Sequence, residues 1–459
     1  VDRSDPPDPD DPLRPCIDIY ERERTARNRE PNRTRRSLLS FYAAGVSVLS
    51  WIRRRLEVRR PTVLVFSTHL TMVPLVENFD WGNPFAMVFS DWFPHKKRIA
   101  FLFCSLAKGI LPVGGRASSL SSSDIELVDR IELRLIAAWR NPATGQLAEV
   151  HRYVRENILS AKRLHWMAGE VKFVEKFLGR WRPEVVFSDS IDYYLTSIAL
   201  ILAKKLGMKT ALTWHGTFIH DVKQDLLGGD PRVRSVVDWF LSWGRISDAW
   251  LDNTNSKAEK IRTGNVVALR SRGRGRGSGY SERNRILLLQ YAWSQKDPRF
   301  PQSAQFNYLV DCVRMLRQQG YRDIRVRLHH VSNEAYYLKV MEAFGLECSL
   351  YKYEPFSSLV DWADLVIGPI GSGAMLEVLG AGKPYFPVLL APNAVNSNYV
   401  EGHPVARSVE DLRDALQQRD FPDFSGLLDD FAGIGEIPNP ARTVWKVLGD
   451  KLRENRETA

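Results

Sequence analysis

A chain of 459 residues is long for a single core, so two domains are expected. Apolar residues make up 44% and charged residues 26%, an ordinary soluble composition that excludes a collagen-like or wholly disordered chain. The net charge of +10 favours anionic partners, while four scattered cysteines without a CxxC pair argue against a disulfide scaffold or zinc knuckle.

The first residues, VDRSDPPDPDDPLRP, are acidic and proline-rich, unlike a secretory signal, and residues 1–36 are expected to be a disordered tail. SLLSFYAAGVSVLSWI (37–52) is too short to span a bilayer but is flanked by arginines. It reads either as an interfacial helix on anionic lipid or as the first core helix of the next domain.

PTVLVFSTHL (61–70) reads as a buried strand entering a polar loop, and residues 123–180 as a long helical region. PEVVFSDS (183–190), TALTWHGTF (210–218), DWFLSWG (238–244) and GNVVAL (264–269) read as further strands, with YLTSIALILAKKLGMKT as a helix stopped by glycine. The Arg/Gly run within 269–285 is read as a linker; one short copy beside a single tyrosine is poor material for binding nucleic acid, which is not an expected partner.

A second alternation follows. RILLLQYAW (285–293), IRVRLHHVS (324–332), SLYKYE, DLVIGP and YFPVLLAP read as strands. FNYLVDCVRMLRQQG (306–320), NEAYYLKVMEAFG, PFSSLVDWA and SGAMLEVLGAG read as helices. Strand–helix alternation predicts parallel sheets, whose ligands sit beyond the strands' C-terminal ends.

Four features stand at such ends. In TWHGTF, His215 precedes glycine and suits a general base taking a proton from a hydroxyl. Asp189 ends a neighbouring strand and could orient that imidazole or act itself, with Asp192 a weaker choice. RLHHVSN places His329 and His330 where one could reach a phosphate. The turn GPIGSG leaves Gly371, Ser372 and Gly373 before a helix, a setting for a phosphate or, alternatively, for tight packing. Its spacing is neither a dinucleotide fingerprint nor a P-loop. Glu377, four residues past Gly373, could accept ribose hydroxyls. No acidic D-x-D cluster stands in a suitable place, so neither a metal nor another cofactor is called for.

Two such domains, with AMLEVLGAGKPYFPV in the second, resemble the GT-B glycosyltransferases, whose donor domains carry an E-x-L-x-x-G-x-P segment. The resemblance implies that Glu377 holds donor ribose; the family's earlier glutamate is replaced by Pro369. LTWHGT, VRLHH and DLVIGPIGSGAMLE also resemble motifs of the CDP-glycerol glycerophosphotransferases, departing after His215 where Phe218, Ile219 and His220 follow.

The expected fold is therefore α/β, GT-B, with two Rossmann-like domains facing across a cleft. The acceptor domain would span 37–268, the linker 269–285, the nucleotide-donor domain 286–450, and a tail 451–459. The expected activity is transfer of a sugar from a nucleotide-activated donor to a surface-polysaccharide or lipid-linked glycan acceptor, the alternatives being a CDP-glycerol glycerophosphotransferase-type polymer synthase or a non-catalytic nucleotide-sugar-binding scaffold. His215 and Asp189 would be catalytic, and His330, Gly371, Ser372, Gly373 and Glu377 would bind the donor. The expected location is cytoplasmic, peripheral to an anionic membrane surface.

Overall fold

The structure is a computed structural model. It describes residues 62–66, 69–80, 83–89, 101, 104–113, 119–138, 161–191, 194–213, 236–253, 256–267, 285–290, 302–329, 332–370, 372–389, 403–418, 425–433 and 435–458. Segment 37–52 and the Arg/Gly run from 268 to 284 lie outside these residues.

The first sheet contains β1 (Thr62–Phe66), β2 (Phe85–Phe89), β3 (Leu111–Val113), β4 (Val185–Ser188), β5 (Lys209–Leu212), β6 (Trp239–Ser242) and β7 (Glu259–Arg262). All its pairings are parallel, in the order β3-β2-β1-β4-β5-β6-β7. Its described helices are α1 (His69–Glu77), α2 (Ser122–Ala138), α3 (Ala161–Trp181), α4 (Tyr194–Lys205) and α5 (Arg245–Asn253).

The second sheet contains β8 (Arg285–Leu289), β9 (Asp323–Arg327), β10 (Ser349–Tyr351), β11 (Leu365–Pro369) and β12 (Tyr385–Val388), parallel in the order β10-β9-β8-β11-β12. With it go α6 (Gln302–Gln318), α7 (Glu334–Ala343), α8 (Phe356–Trp362), α9 (Gly373–Gly380), α10 (Val409–Gln418), α11 (Ser425–Ala432) and α12 (Pro440–Glu457). Both sheets thus wind outward from their first strand in two directions, and each has one switch point: between β1 and β4, and between β8 and β11.

Two-residue periodicity divides the first sheet's apolar side chains between its faces. Leu64, Phe66, Val186, Leu212 and Phe240 join a core continuous with that of the second sheet. Val63, Val65, Val185, Phe187 and Leu241 face α1 and α12. Because both faces are covered, the strands read as unbroken apolar runs, and this made them visible in the sequence.

Two expectations are corrected. GNVVAL is not a strand: the Asn265 side chain accepts the Val267 N–H at 2.8 Å, and the Asn265 N–H donates to the Ala432 carbonyl at 2.8 Å, so this backbone bonds to a turn and a helix end. The last strand is instead β7, EKIR, mostly exposed and paired only with β6. Residues 451–459 were expected as a tail, yet α12 continues to Glu457 and lies against the first domain. There the Trp445 Nε1–H donates to the Leu75 carbonyl at 2.8 Å, and the indole meets Phe79 edge-on at 4.9 Å. Arg456 pairs with Glu184 at 2.9 Å, and Lys451 with Glu259 at 2.6 Å.

Helix α11 joins the two halves, packing on α5 of the first domain and α9 of the second. The approach is backbone to backbone. A Cβ on Gly433 would stand 2.1 Å from the Trp243 carbonyl oxygen, and one on Gly244 2.5 Å from that of Asp430. Beside this contact, the Asp430 carboxylate accepts Arg245 Nη2 at 2.7 Å and Nε at 3.0 Å, and lies 2.8 Å from His403 Nε2. Arg245 is the main reason the Asp430 carboxyl is held below its usual range; burial opposes it and His403 assists. Among the described residues, no helix is long and apolar enough to cross a membrane.

Gly433 has φ 63°, so Gly433→Ala combines left-handed strain with the clash. Urea titration should show a loss of at least about 2 kcal/mol. Gly207→Ala is the control: φ is also positive, at 75°, but the space is open, and about 1 kcal/mol is expected.

A depressed carboxylate pKa contributes stability that is present above about pH 3.9 and is lost as pH falls through the folded value. The stability gap between the native chain and Asp430→Asn, within about 1 kcal/mol at pH 7 for so exposed a pair, should therefore close toward pH 3. A gap that widens would contradict the assignment.

Candidate functional site

The switch point of the first sheet is built by hydroxyl groups. Ser188, the last residue of β4, donates its Oγ–H toward the Phe66 carbonyl at the end of β1 at 2.7 Å, with the Ser190 carbonyl at 2.9 Å. Asp189 follows directly and is fully buried. The Thr213 N–H donates to the Ser188 carbonyl at 2.8 Å, and its hydroxyl donates to the Leu241 carbonyl at 2.9 Å while accepting the Trp243 indole N–H at 3.0 Å. The ends of β1, β4, β5 and β6 are thereby tied together. His215 lies outside the described residues, two positions past this anchored threonine, as does Asp192.

At the second switch point, Ser372 caps α9 by accepting the Ala374 N–H on its side chain at 3.2 Å. That bond leaves the hydroxyl proton available to a further acceptor. Gly373 is exposed, and a Cβ built there would meet nothing within 4 Å. Tight packing therefore does not explain this glycine. It does explain Gly368, where a Cβ would come within 2.6 Å of Tyr385 Oη and 2.9 Å of Leu289 Cβ. Glu377 is half-buried on α9. Gly371 lies outside the described residues.

Next to this turn, Gln290 closes β8. Its Oε1 accepts the His329 N–H and the Ser332 Oγ–H, each at 2.8 Å, and its amide nitrogen donates to Tyr337 Oη. Lys352 Nζ adds a bond to the Ser332 carbonyl at 2.6 Å. The turn after β9 is thus clamped on both sides of His330, which itself lies outside the described residues. Burial pushes the Tyr337 phenol up to about 12, so it stays a neutral member of the clamp.

Arg327, at the end of β9, was not singled out in the sequence. Its Nη1–H donates to the Glu354 carbonyl at 2.9 Å. Burial draws its pKa down, against the opposing pull of Glu354 and Glu377. A half-buried cation within reach of Glu377's charge belongs to the same edge as the Ser372 turn. The signal for it was faint, one arginine in an Arg-rich strand. Thr213 and Gln290 were missed because short polar residues after a strand give no periodicity.

The structure therefore puts Asp189 at one switch point and Ser372, Gly373 and Glu377 at the other. Among the described residues, no group of three or more His, Cys, Asp or Glu side chains is placed to hold a metal ion.

No protein-family model matches the chain, and no curated protein matches it by sequence. Solved structures do match. A UDP-GlcNAc 2-epimerase from Rickettsia bellii matches with a TM-score of 0.50 at 11% identity, covering 85% of this chain and 95% of that one. The UDP-GlcNAc 2-epimerase from Methanocaldococcus jannaschii gives 0.49 at 13%, over 84% and 98%. A glycosyltransferase from Rickettsia africae gives 0.44 at 12%, over 86% and 94%. At such identities the likeness is one of fold. The match at 0.50 and the two doubly wound parallel sheets agree in a GT-B architecture.

The two glycines make a stability test. Gly368→Ala should cost about 1–3 kcal/mol through overpacking. Gly373→Leu, on an open helix start, should stay within about 0.5 kcal/mol of the native chain. Equal losses in thermal or urea melts would overturn the distinction.

Proposed function

We propose that the protein is a glycosyltransferase, moving a sugar from a nucleotide-activated donor to a hydroxyl of a surface-polysaccharide or lipid-linked acceptor. The observation that carries the reading is the turn from β11 into α9: a capping serine and an exposed glycine at a switch point, whose Cβ position has no atom of the described residues within 4 Å.

In this reading the second domain binds the donor. The phosphate would lie at the start of α9 beside the Ser372 hydroxyl, and the helix start favours the negative charge that grows on the leaving group. Gly371 and Gly373 let the phosphate approach the backbone, His330 assists from the clamped turn after β9, and Glu377 takes the ribose hydroxyls. The Arg327 guanidinium and the Glu377 carboxylate attract each other across this edge.

The first domain activates the acceptor. His215 removes the proton of the attacking hydroxyl. Asp189 orients its ring, a role that the carboxylate's burial suits better than direct contact with an acceptor. The sugar's bond to the leaving phosphate breaks as its bond to the acceptor oxygen forms.

The same fold serves epimerases, and the short motifs shared with CDP-glycerol glycerophosphotransferases keep phosphoglycerol transfer as an alternative. A dead nucleotide-sugar fold acting as a scaffold is a third. An assay with each nucleotide sugar separates them: an epimerase changes the sugar with no acceptor present, a transferase needs the acceptor, and a scaffold binds without turnover.

His215→Ala should lower turnover by about 10²- to 10⁴-fold with nucleotide affinity nearly intact. Asp189→Asn should follow it if the carboxylate orients the ring. Ser372→Gly keeps most of the helix cap, at a cost of a few tenths of a kcal/mol, yet should weaken nucleotide binding by roughly 1.5–3 kcal/mol. Gly373→Leu should also block the nucleotide while leaving the fold intact. Calorimetric titration with UDP, GDP and CMP reads these effects. Loss of affinity in His215→Ala with turnover preserved would reverse the two domains' roles.

A further inference from the structure

The second sheet has another concave site, at its opposite edge. A cavity of about 450 Å³ opens where β9 and β10 begin, lined by Arg317, Arg322, Asp323, Arg325, Tyr351 and Trp362 among others. β9 is five residues long, so this edge lies roughly 16 Å through the sheet from the Ser372 turn.

The three arginines are not equivalent. Arg317 spends its N–H groups on backbone: Nε and Nη2 donate to the Glu347 carbonyl, and Nη1 to the carbonyls of Arg322 and Tyr321. It is a pin that holds two loops together and forms the cavity wall. Arg325 is different. Its guanidinium lies 3.9 Å from the Trp362 ring centre and 5.1 Å from that of Tyr351, half-buried, and among the described residues it makes no hydrogen bond or ion pair. Stacking fixes the plane of a guanidinium and leaves its N–H edge to bond outward. Arg322 stands exposed on the same rim. The neighbouring Arg285 contributes little, because its fork is taken by Asp364 at 2.8 Å.

The remaining lining is that of a site for a hydroxylated ring. Tyr351 and Trp362 offer aromatic surface, and Asp323 and Ser349 offer oxygen acceptors. Asp323 and Glu347 also carry negative charge, so a bare anion is held less well than one bearing hydroxyl groups.

We propose that this cavity binds a phosphorylated sugar or a nucleotide: the phosphate on the N–H edges of Arg325 and Arg322, the ring against Tyr351 or Trp362, and its hydroxyls on Asp323. The site is independent of the donor turn, and its existence does not depend on the transfer reading above.

The test uses the full chain titrated calorimetrically with glucose 1-phosphate, UMP, glucose and inorganic phosphate. Arg325→Gln should weaken the phosphorylated probe by about tenfold to a hundredfold, the worth of one hydrogen bond to a charged group. Arg322→Gln, on an exposed side chain that cannot disturb folding, should weaken it several-fold. Asp323→Asn should reduce the preference of glucose 1-phosphate over inorganic phosphate. Gly373→Leu, which alters only the donor turn, should leave this binding unchanged. If glucose 1-phosphate binds best, the ligand is a sugar phosphate; if UMP binds best and keeps its affinity in Gly373→Leu, it is a nucleotide. The proposal falls if both probes lose affinity only in Gly373→Leu, if Arg322→Gln and Arg325→Gln bind as the native chain does, or if glucose matches glucose 1-phosphate.

Discussion

The close passage of two backbones, Gly433 under the Trp243 carbonyl and Gly244 under the Asp430 carbonyl, is the constraint on which the arrangement of the two domains rests. No side chain can be inserted there. The helix ending at this point, α11, also supports α9, so the turn proposed to take the donor is held in a line of packed backbone that begins on the first sheet. Gly264, with φ 75° and Pro440 Cγ 2.9 Å from the place of a Cβ, continues the same line into α12. Contacts of this kind transmit displacement because they cannot be compressed.

In the proposed reaction the two switch points divide the chemistry. One is assembled from neutral hydroxyls and a buried carboxylate, the other from a helix start, a capping serine and a half-buried arginine. The first polarity suits the removal of a proton, the second the acceptance of negative charge. Reaction between them requires only that the two strand edges confront each other, and neither set of groups has to perform both tasks.

Much of this was legible in the sequence, for a physical reason. Strands such as VVFS and LVIGP are buried on both faces and stand out as apolar runs, and the polar residues that follow mark their C-terminal ends. What could not be read has equally physical causes. The strand EKIR has one neighbour and open faces, so nothing forces apolar side chains on it. β3 is three residues with a proline, tolerated because it lies at the sheet edge. Val266 in GNVVAL is buried like a strand residue, but its burial comes from the packing beside α12 rather than from a sheet. Of the site, single residues at strand ends could be named, whereas the hydrogen-bond lattice of the Ser188 and Thr213 hydroxyls and the Trp243 indole N–H exists only once four strands are adjacent.

Helix α12 has a consequence for synthesis. The first sheet's opening strand is β1, but the core on one of its faces takes Val444, Trp445, Leu448 and Leu452 from α12. On the ribosome, the sheet that is made first must wait with Leu75 and Phe79 uncovered until the whole second domain has been translated. The core of the first domain is thus completed only after the second domain has been made, and until then the face that α12 covers lacks that cover, the kind of apolar surface that makes a nascent chain prone to aggregate.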